Sequence, residues 1–172
     1  MPAETKKSIS KVFIKGDIND VWRELTKTGE TQKAMFNMVM HTSGLRPGAA
    51  IQMRTINNKY VGVVGEVLEI EPPYRYSHTF KFTNYADPEC KVTYTLEAVD
   101  GGTEFTLTSE EIPAGTATEK QMTSGADMIT STLKHVIETG KPSLGIRLLH
   151  IIFRLTEPFS PAKTKVEHWP LT

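Results

Sequence analysis

The segment EVLEIEPPYRYSHTFKF, Glu66 to Phe82, decides how the chain is read. Pro72 and Pro73 cannot donate ladder hydrogen bonds, so EPPY connects two extended runs rather than belonging to either. Beyond that turn the residues alternate. Tyr74, Tyr76, His78, Phe80 and Phe82 fall on one face, with Arg75, Ser77, Thr79 and Lys81 on the other. A lone histidine in phase with aromatic side chains points at whatever the sheet covers.

Period two extends on both sides of this segment. AIQMRTI sets Ile51, Met53 and Thr55 against Gln52 and Arg54, and YVGVVGEVLEIE is too apolar to face water on both sides. CKVTYTLEAV places Val92, Tyr94 and Leu96 opposite Lys91, Thr93, Thr95 and Glu97, and the pair Gly101–Gly102 supplies permissive turn dihedrals before TEFTLTSEE runs back. These runs form an antiparallel meander that buries one face and needs a cover. The cover is Ala117 to Thr139, where Met122, Ala126, Ile129, Leu133, Val136 and Ile137 recur three or four apart and Gly140 and Pro142 stop the helix.

Ahead of the meander, ISKVFIKG reads as a first strand ending at Gly16. Asp17 caps a short helix with the stripe Ile18, Val21, Trp22 and Leu25, and Asp20 suits its first turn. A second short helix is expected in GETQKAMFNMV, although its end can equally pass into a strand near Phe36 to His41. A curved sheet around one long helix leaves space unless large side chains fill it. Gly62, Gly65 and Gly125 have no side chain to offer, and Met35, Met38, Met53 and Met122 adapt to irregular space, so a cavity is expected.

The chain has 172 residues and 38% hydrophobic content, enough for one domain with a real core and a tail. Twenty Lys and Arg balance twenty Asp and Glu, so no overall field draws nucleic acid or anionic lipid. The single cysteine, Cys90, allows no intrachain disulfide. No apolar run of signal or membrane-spanning length is found, and the working expectation is a cytoplasmic protein.

DINDVWRELT (17 to 26), GLRPG (44 to 48), GEVLEIEPPYRYSHTF (65 to 80), VTYTLEAVDGGTEFTLT (92 to 108) and LKHVIETGK (133 to 141) resemble, in order, successive blocks of the activator of heat-shock ATPase homologue family. That family belongs to the START-like superfamily, with the polyketide cyclases and birch-pollen-allergen-like proteins. The resemblance covers Ser8 to Lys141. It implies an α+β helix-grip fold, a curved antiparallel sheet around a long C-terminal helix over an apolar cavity, as a START-like domain over residues 8–141 with a C-terminal extension at 142–172. Two features depart from the family. Its members commonly carry a tryptophan near the end of the second short helix, where this chain has Phe36 as the nearest aromatic, and the extension lies beyond the usual end of the domain.

Within such a cavity the candidate ligand-binding residues are Tyr76, His78, Phe80, Tyr94, Met53, Met122 and Trp22. His78 is also the one catalytic candidate, because an imidazole can orient a ligand carbonyl or exchange a proton with it. The plainer alternative is a structural histidine bonded to a tyrosine or a backbone carbonyl. Glu66 is the nearest carboxylate across the EPPY hairpin, and a one-residue bulge would reverse the face it occupies. Tyr60 and Tyr74 offer hydroxyls that ordinary strand composition also explains, and the stripe around Trp22 accounts for it as core. The five histidines, at 41, 78, 135, 150 and 168, have no ligating spacing, so no metal and no cofactor are expected. Cys90 has no histidine at a known distance to make it a nucleophile.

The extension carries LGIRLLHIIFRLTEPF, with Leu144, Leu148, Ile151, Ile152 and Leu155 on one helix face, Ile146, Leu149 and Phe153 widening it, and Arg147, His150 and Arg154 as a narrow basic ridge. A helix this apolar needs a partner surface. It would pack on its own domain or on a second subunit as a homodimer, whereas membrane contact is not expected. The leading functional expectation is non-catalytic binding of an apolar or amphipathic small molecule in the cavity. The alternatives are a cyclase- or dehydratase-type enzyme using His78 and a tyrosine hydroxyl, and a chaperone ATPase co-factor.

Overall fold

A computed structural model describes residues 2–172. Its strands are β1 (Thr5–Ile14), β2 (Thr31–Gln32), β3 (Met38–Thr42), β4 (Ala50–Arg54), β5 (Val61–Glu71), β6 (Arg75–Phe82), β7 (Cys90–Val99) and β8 (Gly102–Pro113). They form one antiparallel sheet in the order β1-β8-β7-β6-β5-β4-β3-β2, so β2 to β8 is a meander and β1 closes the far edge. The sheet curls into a half-barrel. Helix α1 (Ile18–Thr26) follows β1, and α2 (Ala117–Thr139) lies across β1 and β8. This is the expected α+β helix-grip architecture.

Local chemistry fixes the helix ends. The Asp17 carboxylate accepts the Asn19 N–H at 2.8 Å to start α1, and Val21 and Leu25 turn into the core. Thr116 accepts the Glu119 N–H at 3.2 Å to start α2, and Gly140, at φ 82°, ends it in the left-handed conformation. Met122, Ala126, Leu133 and Val136 are buried along α2, with Ile129 and Ile137 partly so.

The second short helix does not form. Residues 33 to 37 make a turn between β2 and β3, because Phe36 and Asn37 adopt φ of 54° and 60°, which no right-handed helix accommodates. The side-chain amide of Gln32, fully buried, donates to the Lys27 carbonyl at 2.9 Å and to that of Leu25 at 3.4 Å. The segment is thereby bound to the end of α1 rather than folded on itself.

A one-residue bulge does occur in this hairpin, on β5, where pairing with β6 skips one residue between Val67 and Glu69. In the β7–β8 hairpin only Gly101 needs the left-handed region, at φ 81°. Gly102 is required for space, since a Cβ there would sit 2.1 Å from the Ile14 carbonyl oxygen. Gly65 is similar, 2.0 Å from the Thr79 oxygen, so it serves strand approach and leaves no cavity space.

The extension folds back on its own chain. Helix α3 (Leu144–Thr156) leads to three short 3-10 turns, Glu157–Phe159, Ala162–Thr164 and Val166–His168. Lys165 bridges to Tyr60, Val166 N–H donates to the Lys59 carbonyl at 3.0 Å, and Gln52 Nε2 donates to the Trp169 carbonyl at 2.8 Å. Among the described residues no helix is long and apolar enough to cross a membrane.

Candidate functional site

Because α2 leans on the β1–β8 end of the sheet, the other end curls away from it and leaves a cavity of about 890 Å³. One wall is the inward face of β4, β6 and β7, including Met53, Tyr76, His78, Phe80, Phe82 and Tyr94. The opposite wall is α2, with Met122, Gly125, Ala126 and Ile129. Phe36 and Met38 stand at one side, and the extension adds Leu149, Phe153, Pro158 and Thr164 to the lining. Phe36 and Phe153 meet edge to face, their ring centroids 6.3 Å apart. Among the described residues, Arg154 and Glu157 are the only Asp, Glu, Lys or Arg in this lining, and both belong to the extension.

A polar cluster sits inside this apolar space. The ring centroids of Tyr76 and His78 are 5.0 Å apart, and Tyr94 lies 5.6 Å from the first and 5.7 Å from the second. His78 Nδ1 is 2.7 Å from the Thr79 carbonyl oxygen, which can only accept, so Nδ1 carries the proton and Nε2 keeps a lone pair. Burial pushes the His78 pKa down to about 4, so the imidazole is neutral at physiological pH. The Tyr76 hydroxyl is buried with no hydrogen-bond partner. Burial, and secondarily the neighbouring Tyr94, raises its pKa; burial alone raises that of Tyr94. Both phenols are therefore donors. The cluster offers a ligand two O–H donors and one nitrogen acceptor, all without net charge.

Six of the seven expected residues converge on this cavity: Tyr76, His78, Phe80, Tyr94, Met53 and Met122. Trp22 does not, since it packs partly buried against the core outside the lining. Glu66 is exposed, and its N–H donates to the Thr79 hydroxyl at 2.9 Å, so no carboxylate of β5 supports His78. Tyr74 is exposed, and Tyr60 stands in the lining beside the extension. Cys90 is buried away from the cavity and its thiol is pushed up to about 11 by burial, which leaves it protonated. The described residues contain no cluster of three metal-ligating side chains. The contribution of the extension escaped the sequence reading. Ile146, Leu149 and Phe153 do not widen the first apolar face of α3, as the sequence reading had it; at 3.6 residues per turn they form a second stripe opposite it.

The chain belongs to the family described as activator of Hsp90 ATPase homolog 1-like protein, whose model matches residues 15–138. No curated protein matches it significantly. Among solved structures it is similar to CalU16 from Micromonospora echinospora, at 18% identity and a TM-score of 0.59, with 86% of this chain and 83% of that one covered. It is also similar to DynU16, described as a putative protein in the dynemicin biosynthetic locus, at 24% identity and a TM-score of 0.61 over 79% of this chain and 48% of that one. The Aha1 dimer from Colwellia psychrerythraea matches at 18% identity and a TM-score of 0.63, covering 79% and 98%. At these identities the likeness establishes the fold and leaves the activity to the site.

Proposed function

We propose that this protein binds an apolar or amphipathic small molecule inside the cavity, with an oxygen-bearing end of the ligand against Tyr76, Tyr94 and His78. The observation that carries the reading is the buried Tyr76 hydroxyl, without a hydrogen-bond partner, on a residue that lines an apolar space of about 890 Å³. That volume lies within the range of small-molecule sites, and an orphan donor inside it is satisfied when a ligand oxygen arrives. The proposed setting is the cytoplasm. Titration with an environment-sensitive apolar naphthylamine dye tests the reading. Saturable fluorescence enhancement at one dye per chain is expected, and its absence would sink the proposal.

The same cluster supports a second reading, a cyclase- or dehydratase-type enzyme in which the phenols polarise a carbonyl and His78 Nε2 accepts a proton. A base held neutral down to about pH 4, with Glu66 turned to solvent, is a weak one. Binding without turnover is therefore the preferred reading. The chaperone co-factor alternative rests on the family description and gives these buried groups no role.

A further inference from the structure

Helix α3 is apolar on two opposite sides. Ile146, Leu149 and Phe153 face inward, in the seam against Ala34 and Phe36 or in the cavity lining, while Leu144, Leu148, Ile151, Ile152 and Leu155 face outward and are between 46% and 79% exposed. A helix with apolar stripes on two opposite sides is normally covered on both. The outward stripe is long, continuous and one helix wide, unlike the singly scattered apolar residues of an ordinary surface.

The charge around it is lopsided. Between Lys141 and Lys165 five cations, Lys141, Arg147, Arg154, Lys163 and Lys165, accompany a single carboxylate, Glu157, in a chain whose charges cancel only when this stretch is counted with the rest. All five are exposed, and none has an ion-pair partner among the described residues. The carboxylate is bonded to the Asn57 side chain at the tip of the β4–β5 hairpin, so it is occupied within the fold.

We propose that the outer face of α3 lies on the surface of a bilayer containing anionic lipid, with Leu148, Ile151 and Leu155 in the acyl boundary and the flanking cations at the headgroups. An interfacial helix with an apolar face and unpaired basic flanks has the chemistry such a surface takes. The sequence reading did not expect membrane contact, since the sequence does not show that the inner stripe, and not the outer one, is used in packing.

A second copy of the chain fits less well. Thirteen residues make a face about 20 Å long and 10 Å wide, on the order of 200 Å² in projection, against the ~800 Å² per partner of a stable dimer. Antiparallel pairing would also bring the Arg147 and Arg154 flanks of both copies together without a compensating acid. On a bilayer the same cations meet lipid phosphates. Since the inner side of α3 walls the cavity, docking would also place that cavity next to the membrane; this consequence rests on the binding reading above.

The test is co-sedimentation of the full chain with phosphatidylcholine vesicles and with phosphatidylcholine–phosphatidylserine vesicles at low and high salt. The wild type is expected to bind the anionic vesicles and to be released by salt. Leu148→Asp combined with Ile151→Asp should weaken binding by at least about tenfold, and Lys141→Gln combined with Arg147→Gln should weaken it while flattening the salt dependence. Circular dichroism melts establish that each variant is folded. Neither pair lines the cavity, so dye uptake in vesicle-free solution should stay at the wild-type level; its loss would indict the binding reading and leave the docking result standing. Failure to bind any vesicle, or binding untouched by the two aspartates, overturns the proposal. A concentration-dependent dimer in sedimentation, abolished by the same two aspartates, would also overturn it and assign the face to a second copy.

Discussion

Tyr76 and His78, two residues apart on β6, bring their rings within 5.0 Å on one wall of the cavity, and each presents a hydrogen-bonding atom that no other described residue uses. One is a donor and the other an acceptor. An unsatisfied buried polar group costs about 1–3 kcal/mol, so a fold serving only its own stability would have placed phenylalanine there.

Tyr76→Phe should therefore stabilise the ligand-free protein, by about 0.5–2 kcal/mol, while weakening retention of an oxygen-bearing ligand. Urea denaturation and dye displacement measure the two effects. A loss of stability would mean that the hydroxyl is satisfied within the protein.

His78 makes stability depend on pH in one direction. An unfolded-chain imidazole takes up its proton near pH 6.5, whereas folded His78 does so only near 4. Its contribution is fully present above about pH 6.5 and declines as the pH falls toward 4, by on the order of 3 kcal/mol. Burial also lowers His41 and His150, so wild type should be compared with His78→Gln, which retains those two. The denaturation slope between pH 6.5 and 4 is expected to flatten in the variant. Equal slopes would place the His78 ring in contact with water.

Leu133 is fully buried where α2 meets the sheet. Leu133→Ala should cost about 2–5 kcal/mol. A denaturation loss below about 0.5 kcal/mol would contradict the grip of the sheet on this helix.

Phe153 contributes an edge-to-face contact with Phe36 and part of the lining while remaining 43% exposed. Phe153→Ala should lower stability by only about 0.5–1.5 kcal/mol and speed ligand exchange, because one side of the enclosure opens. Stopped-flow dye release measures the exchange. An unchanged release rate would mean that α3 does not gate the cavity.

Much of this was legible in the sequence, for identifiable reasons. The alternation from Tyr76 to Phe82 was readable because the bulge lies on the neighbouring strand, and the α2 limits emerge as Ala117–Thr139 because Thr116 and Gly140 are strong local signals. The segment around Phe36 was not readable. Its positive φ values go with a side-chain bond to the preceding element, the Gln32 amide holding the end of α1, which leaves no periodic trace. Trp22 was placed in the candidate set because a helix stripe does not show which of its edges meets the cavity. The short 3-10 turns that bring Pro158 and Thr164 into the lining depend on contacts to Lys59 and Tyr60, about a hundred residues upstream.

Gly125 provides the most direct test of the central claim. It lies within α2, faces the cavity, and a Cβ there would meet its nearest neighbour, Phe36 Cζ, at an ordinary 3.7 Å. Gly125→Leu should favour the helix by about 0.5–1 kcal/mol while placing an isobutyl group in the ligand space. Native mass spectrometry of both proteins, purified from the natural host, is the measurement. The account predicts that the wild type carries a small molecule of defined mass at one per chain and that the equally folded leucine variant is empty. A wild type without any retained molecule, or a variant that retains the same molecule to the same extent, would contradict it.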